Sequence, residues 1–228
     1  MSASASEYGD DLSVLRKVWE YAGSKLVGLV YRCRTKKIGM YNRVAVRNRR
    51  LVTPRDEVAD YEAPLIEAIR GNVSEGDDVL VVGGGLGVSS VVAARQVGDE
   101  GSVVTYEGSE HRCRICRETA GLNGVADRVT VKHGVVGDEG EVFGDSSEPA
   151  FPVADLPPAD AIVADCEGAE LGLLGEYPHK PSRIVVETHG CFGSPTAEVE
   201  SLLQSQGYDI VQNVPENADQ DVRILVAV

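Results

Sequence analysis

The sequence contains no uninterrupted run of about 18 apolar residues, which is the length that a membrane-spanning helix needs. Its Ser- and Ala-rich start lacks the order of a basic stretch and then an apolar stretch that marks a secretory signal peptide. The 5 cysteines are an odd number scattered through 228 residues, so we expect reduced thiols rather than a disulfide framework. These absences predict a cytoplasmic protein without a membrane-spanning segment.

Positive charge is scarce outside the N-terminal quarter of the chain. Residues 1–55 hold 12 Lys and Arg against 4 Asp and Glu, whereas the remainder holds 10 against 32. An acidic, Lys-poor body is typical of proteins that stay soluble at high salt, as in halophilic archaea, although an ordinary cytoplasmic protein can be as acidic. Because such a body repels phosphates, we expect no nucleic-acid partner.

Three segments differ in their hydrophobic pattern. Residues 1–10 are small and polar and predict a disordered N-terminus. Residues 11–56 predict an extension made of a basic amphipathic helix, at 11–32, and a β-hairpin built from short β-like pieces. The extension is either a lid packed on the main domain or a basic element that contacts an anionic substrate or, peripherally, a membrane surface. Residues 57–228 predict the main domain.

The main domain alternates between helical and strand patterns. Helices are predicted at 57–70, 89–96, 111–123, 171–175 and 196–206, and strands at 78–82, 102–106, 128–133, 161–164, 183–187, 208–212 and 222–228. Polar segments at 137–158 and 213–220 are predicted as loops. The alternation predicts an α/β fold with a doubly wound, mostly parallel seven-stranded sheet. The last two strands are so close in sequence that we expect an antiparallel C-terminal strand.

A glycine-rich turn follows the first strand of that sheet. Residues 79–90 read Val-Leu-Val-Val-Gly-Gly-Gly-Leu-Gly-Val-Ser-Ser, a strand that turns into a helix. Glycine allows the sharp turn and a close approach of the backbone to a ligand, and the helix N-terminus offers free N–H groups. Glu107 ends the next strand, 24 residues after Gly83, where a carboxylate can accept hydrogen bonds from both ribose hydroxyls of an adenosine. Together these features predict a nucleoside cofactor.

Several other cofactor and nucleophile patterns are absent. In the nicotinamide fingerprint G-x-G-x-x-G, read from Gly83, the third glycine position is occupied by Val88. No Walker A Gly-Lys-Ser/Thr and no G-x-S-x-G nucleophile elbow are present. Cys113 and Cys116 form a C-x-x-C pair, but no second pair follows at zinc-site spacing, so we expect no metal there and place one cysteine in the core.

From about residue 61 to 228 the chain resembles the FkbM-type methyltransferases that use S-adenosylmethionine (SAM). The resemblance rests on the glycine turn, on Tyr106-Glu107 and on three stretches at 132–138, 165–170 and 186–189, of which Asp-Cys-Glu-Gly-Ala-Glu is the most specific. It implies the Rossmann-like class I methyltransferase fold and SAM as the cofactor. It also implies O-methylation of a hydroxyl or carboxyl on a sugar, a lipid-linked glycan or a secondary metabolite.

The resemblance also implies site residues. The cofactor-binding residues would be Gly83, Gly84, Gly85, Gly87, Tyr106, Glu107, His133, Gly134 and Asp165. The catalytic residues would be His189, Asp165 and Glu187, with His189 as the first candidate for the base, whereas Glu167 and His189 would bind the substrate. The other interpretation of His189 is a strand-end imidazole that hydrogen-bonds only the backbone.

Three positions depart from the family pattern. Val81 stands where an acid usually begins the glycine loop, His133 where a small amide is commoner, and Val163 where a lysine often precedes the aspartate. The alternative function is therefore a catalytically inactive SAM-binding or interaction protein.

A metal site is the last open alternative. The acids at 165, 167 and 187 could converge with His189 on a divalent cation, but we expect no metal, and we expect Glu170 to be a solvated surface carboxylate.

Overall fold

The computed structural model describes residues 37–48, 57–137 and 149–228. The described residues do not include the predicted disordered N-terminus, the predicted amphipathic helix at 11–32 or residues 138–148 of the predicted loop at 137–158. No helix in the described ranges is long and apolar enough to cross a lipid bilayer.

Seven strands form the central sheet. They are β4 Asp78–Val82, β5 Ser102–Glu107, β6 Val129–His133, β9 Ala161–Ala164, β10 Arg183–His189, β11 Ile210–Asn217 and β12 Val222–Ala227. Their order across the sheet is β11-β12-β10-β9-β4-β5-β6. In this order the five strands from β10 to β6 pair in parallel, whereas β12 runs antiparallel to both β10 and β11. The predicted doubly wound, mostly parallel sheet with an antiparallel C-terminal strand is confirmed.

Helices cover both faces of this sheet. They are α1 Ala63–Asn72, α2 Val88–Val97, α3 Glu110–Leu122, α4 Glu170–Glu176 and α5 Thr196–Ser205. Successive strand residues point to opposite faces. Val79 and Val81 of β4 therefore enter one core with α1 and α2, while Leu80 and Val82 enter a second core with α4 and α5. Burial on both faces explains why β4 is apolar at four consecutive positions.

A small sheet of three strands precedes α1. It has the order β2-β1-β3 and consists of β1 Lys37–Tyr41, β2 Val44–Asn48 and β3 Glu57–Val58. Asn42 and Arg43, between β1 and β2, have φ angles of 47° and 68°, as a two-residue hairpin turn requires. The side chains of Tyr41, Val44 and Val46 pack into the first core, with α1 and α2.

Three predicted boundaries were wrong. Residues 57–58 form β3, and α1 begins only at Ala63, because Glu62 has a left-handed backbone and Pro64 occupies the first turn. The polar stretch at 213–217 continues β11, since an edge strand keeps its hydrogen bonds to β12 while its side chains meet solvent. Part of the predicted loop at 137–158 is ordered: β7 Val135–Val136 pairs with β8 Ala150–Phe151.

Candidate active site

The C-terminal ends of the parallel strands lie side by side at one edge of the sheet. In sheet order they present His133, Glu107, Gly83, Asp165 and Glu187. The chain order reverses at β4, with β5 on one side and β9 on the other. Ligands of open α/β sheets bind in the crevice at such a switch point.

The glycine turn is held tightly against the end of β9 and is open on its other side. Gly83 has a φ of 93°, and a Cβ on it would lie 1.7 Å from the backbone oxygen of Asp165. Gly87 precedes α2 with a φ of 81°, and no side chain caps the helix there. Gly85 has a φ of 51°, and no described atom lies within 4 Å of where its Cβ would be. The turn therefore leaves room for a ligand beside Gly85.

Glu107 is fixed under this turn. Its Oε2 accepts a hydrogen bond from the Gly85 N–H at 2.8 Å, and its Oε1 accepts one from the Ser109 N–H at 2.8 Å. The Gly134 N–H donates to the Glu107 carbonyl oxygen at 2.9 Å. Each carboxylate oxygen can accept a second hydrogen bond. A hydroxyl ligand at the turn would therefore meet a carboxylate that is already in position.

Tyr106 and His133 flank Glu107 in different ways. The ring of Tyr106 is buried edge-on against Phe151, 5.0 Å between centroids, and its hydroxyl accepts a hydrogen bond from Lys132 Nζ at 3.0 Å. Only the backbone of Tyr106 reaches the glycine turn, where its carbonyl oxygen accepts the Gly83 N–H. His133 Nε2 lies 3.1 Å from the carbonyl oxygen of Gly108, in the connection that follows β5.

Four side chains form a cluster at the ends of β9 and β10 and the start of α4; Glu170, Glu187 and His189 are buried, and Asp165 is partly exposed. His189 Nδ1 lies 2.9 Å from Glu170 Oε1, and His189 Nε2 lies 3.7 Å from both Asp165 Oδ1 and Glu187 Oε1. One ligand atom from each of Asp165, Glu187 and His189 lies within 4.8 Å of the others, a spacing that could hold a metal ion. The imidazole thus contacts carboxylates through both ring nitrogens, in addition to any backbone contact.

Glu170 is not the solvated carboxylate that we expected. It is fully buried and accepts hydrogen bonds from the backbone N–H groups of Cys166 and Gly168, at 3.2 Å and 3.1 Å, as well as contacting His189. The connection between β9 and α4 curls back through positive φ angles of 50° at Glu167 and 111° at Gly168. This turn places Glu170, the first residue of α4, beneath the loop that leads into the helix.

In this cluster the pKa values of three side chains are raised and that of the fourth, Glu170, is lowered. Burial alone would lower the pKa of His189, but the hydrogen bond and charge of Glu170 outweigh burial and raise it. Burial alone would raise the pKa of Glu170, but the hydrogen bond and charge of His189 outweigh burial and lower it. Burial raises the pKa values of Asp165 and Glu187, and nearby carboxylates add to the rise. Relative to free side chains, the acid form of Glu187 and the protonated form of His189 are thus favoured.

Three further side chains near the cluster were missed by the sequence analysis. Burial raises the pKa of Glu62 to about 7, with additions from the charges of Asp165 and Glu216, and the hydroxyl of Tyr61 hydrogen-bonds Glu62. Pro64 was the available signal, because proline in a first helical turn places the helix start at 63 and Glu62 at its cap.

Glu167 lies on the exposed side of the cluster. Its side chain is 62% exposed and lies 3.9 Å from Arg112 Nη1 on α3. Such an exposed pair contributes little to stability. Its predicted contact with a substrate stays a prediction.

Both cysteines of the C-x-x-C pair are buried under the glycine turn. Cys116 Sγ contacts the Gly85 carbonyl oxygen at 3.4 Å, and Cys113 Sγ contacts the Glu107 carbonyl oxygen at 3.3 Å. Burial raises the pKa of Cys113 to about 11 and that of Cys116 to about 12. These thiols therefore stay protonated and pack as core residues.

Solved structures of methyltransferases have a similar fold. The ribosomal protein L11 methylase of Lactobacillus delbrueckii subsp. bulgaricus matches with a TM-score of 0.55 and 16% identity, over 75% of this chain and 79% of that one. A SAM-dependent O-methyltransferase from Thermotoga maritima matches with a TM-score of 0.51 and 19% identity, over 78% of this chain and 66% of that one. The chain has the class I methyltransferase fold. No protein-family model matches it.

The glycine turn predicts unequal effects of two alanine substitutions. A Cβ on Gly87 would lie 2.9 Å from the Cα of Cys116, at a φ of 81°, so Gly87→Ala should lower the free energy of unfolding by about 2–4 kcal/mol. Gly85→Ala meets open space and should cost only the backbone strain, about 1 kcal/mol. Urea denaturation measures both values. Equal losses in the two variants would contradict the packing of α2 on α3.

The Glu170–His189 pair predicts a measurable imidazole pKa. In chelator-treated protein the titration of His189, followed by NMR and assigned with His189→Gln, should have its midpoint above 6.5, and Glu170→Gln should lower it. A histidine whose pKa is raised in the folded state stabilises the fold below its unfolded pKa, and this effect is lost as pH rises. A glutamate whose pKa is lowered in the folded state stabilises the fold above its unfolded pKa, and this effect is lost as pH falls. The contribution of the pair to stability should therefore be largest between pH 4.5 and 6.5.

The control for this titration is Glu176→Gln, a change at an exposed acid, which should leave the midpoint of His189 unchanged. An unchanged His189 midpoint in a folded Glu170→Gln variant would show that the pair does not form in solution.

Proposed function

We propose that this protein is a SAM-dependent methyltransferase that transfers the methyl group to an oxygen atom. The observation that carries the proposal is the buried Glu107 carboxylate, held by the Gly85 N–H at 2.8 Å where the class I methyltransferase fold has its switch point. A carboxylate in this place can accept both ribose hydroxyls of an adenosine. The neighbouring structures with this fold include enzymes named as methyltransferases.

The residues at the switch point fit a cofactor of this shape. Gly83, Gly84 and Gly87 have no room for side chains, whereas the space beside Gly85 is open. SAM would be held by this glycine turn, by Glu107, by His133 and Gly134 at the end of β6, and by Asp165 after β9. When bound, SAM supplies a methyl group on a positively charged sulfur, and the protein has to align the acceptor and exclude water.

The acceptor would bind at the cluster of Asp165, Glu187, His189 and Glu170, next to the glycine turn. An alcohol must lose a proton as its oxygen is methylated, and a nearby base assists by about 10²- to 10⁴-fold. Glu170 occupies Nδ1 of His189, so the group that can accept the proton in the metal-free protein is Nε2, on the side of Asp165 and Glu187. Glu170 thereby positions the imidazole.

The substrate class follows from the resemblance to FkbM-type enzymes. We propose a hydroxyl or carboxyl of a sugar, a lipid-linked glycan or a secondary metabolite as the acceptor. Glu167, exposed above the cluster, would contact it, and the basic residues in 11–56 would attract an anionic acceptor or the membrane surface that carries one.

A SAM-binding protein without transferase activity is the second candidate. Val81 and Val163, which replace polar residues of the family pattern, are both buried in the first core with α1 and α2. The two candidates agree on cofactor binding and differ only in turnover.

Cofactor binding is tested by calorimetric titration of SAM into the chelator-treated full chain at high salt. Wild type should bind one equivalent, and Glu107→Gln should bind at least about tenfold more weakly, because an amide has only one accepting oxygen. Glu176→Gln, a change at the exposed end of α4, is the matched control and should bind as wild type does. Absence of binding to folded wild type would refute the proposal.

Turnover is tested with a panel of hydroxylated sugars, glycolipids and phenols, measured as release of S-adenosylhomocysteine. With an accepted substrate, His189→Gln should lower turnover by at least about 10²-fold, because it removes the ring nitrogen at Nε2. SAM affinity should stay unchanged in this variant. His179→Gln, at an exposed position, should keep full turnover. Full activity in His189→Gln would exclude any role of His189 in deprotonation.

A further inference from the structure

We propose that Asp165, Glu187 and His189 bind a divalent first-row transition metal ion, which activates the acceptor oxygen. On the sequence alone we expect no metal at these residues. The binding site itself rests on the side chains of the cluster, whereas the role of the ion rests on the proposed methyltransferase function.

The distances between the ligand atoms support a shared cation. A cation about 2.1 Å from each ligand separates two of its ligands by about 3.0 Å at a right angle and by about 4.2 Å when they are opposite. His189 Nε2 lies 3.7 Å from Asp165 Oδ1 and 3.7 Å from Glu187 Oε1. These separations are too long for hydrogen bonds and suit a shared ion. They leave further coordination positions for water or an acceptor.

One carboxylate oxygen of Glu187 is unpaired among the described residues. The side chain of Glu187 is 9% exposed, and its Oε2 has no hydrogen-bond partner among the described residues. A buried polar atom without a partner costs about 1–3 kcal/mol, and more if it carries charge. Glu187 is as deeply buried as His189, so a cation between the carboxylates would relieve this cost.

A carboxylate, that of Glu170, lies behind the imidazole of His189. A metal-bound histidine usually donates its other ring N–H to a carboxylate or a carbonyl group, which fixes the ring and the tautomer. Glu170 Oε1 lies 2.9 Å from Nδ1 of His189, and backbone N–H groups of Cys166 and Gly168 hold that carboxylate in turn. Nε2 is therefore the nitrogen that faces the two acids.

The ligand set selects the class of ion. Imidazole favours transition metals over Mg²⁺ and Ca²⁺, and two carboxylates favour a harder ion than a thiolate site would. A cation here would lower the pKa of an acceptor hydroxyl that coordinates it. The proton would pass to solvent, and a C–O bond would form as the C–S bond of SAM breaks, leaving S-adenosylhomocysteine. In this state His189 is a ligand.

Mn²⁺ is the probe, because its unpaired electrons allow both counting and localisation. The full chain, cleared with chelator and kept at high salt, is titrated with Mn²⁺ and followed by electron spin resonance of the free ion. Wild type should bind one Mn²⁺, and Glu187→Gln and Asp165→Asn should each bind at least about tenfold more weakly. Glu176→Gln, an exposed acid outside the cluster, is the matched control and should bind as wild type does.

NMR of the histidine rings localises the ion independently of its affinity. Substoichiometric Mn²⁺ should broaden the signals of His189 before those of the exposed His179, and Glu187→Gln should remove this preference. Wild-type binding no tighter than in Glu187→Gln, or broadening without preference for His189, would overturn the proposal and assign Mn²⁺ to surface carboxylates.

The two proposals fail separately. SAM binding in chelator-treated protein without specific Mn²⁺ binding would leave the methyltransferase and remove the metal. Specific Mn²⁺ binding without SAM binding would leave the metal site and remove the methyltransferase.

Discussion

The close contact between the glycine turn and the end of β9 determines the geometry of the whole site. The backbone oxygen of Asp165 occupies the space that a side chain on Gly83 would need, and the Asp165 N–H donates to the carbonyl oxygen of Val82 at 2.9 Å. The connection that follows β4 and the connection that follows β9 are thereby held at a fixed separation. The connection after β4 carries the predicted cofactor site, and the connection after β9 carries part of the cluster around His189. The methyl donor and the acceptor would therefore be aligned by backbone contacts rather than by mobile side chains.

Electrostatics distinguishes the two halves of the site. On one side, Glu107 has its charge compensated by two backbone N–H groups. On the other side, Asp165 and Glu187 share a single imidazole and are not compensated by backbone donors among the hydrogen bonds of the described residues. This imbalance makes the second half attractive to cations. Both the sulfonium of SAM and a metal ion carry the charge that such a place favours.

The sequence predicted the sheet well because its central strands are buried on both faces. The strands Asp78–Val82 and Ala161–Ala164 were predicted with the bounds that the structure shows, since continuous apolar runs between glycine and polar turns leave little choice. Prediction failed at the periphery. Residues 213–217 are polar enough for a loop, yet hydrogen bonds to β12 extend β11 through them, and these bonds depend on a partner strand that sequence patterns do not reveal.

The candidate site divides in the same way. The sequence by itself determined the glycine turn and the acid that ends the next strand, because both follow from local rules on backbone freedom and strand ends. Only the tertiary structure decided that Glu170 is buried behind His189 and that Glu62 approaches the same cluster, since each depends on a left-handed turn and on contacts between distant segments. Charge patterns assign acidic residues to the surface, whereas in the fold Glu170 is buried and Glu62 is partly buried, each beside a hydrogen-bond partner.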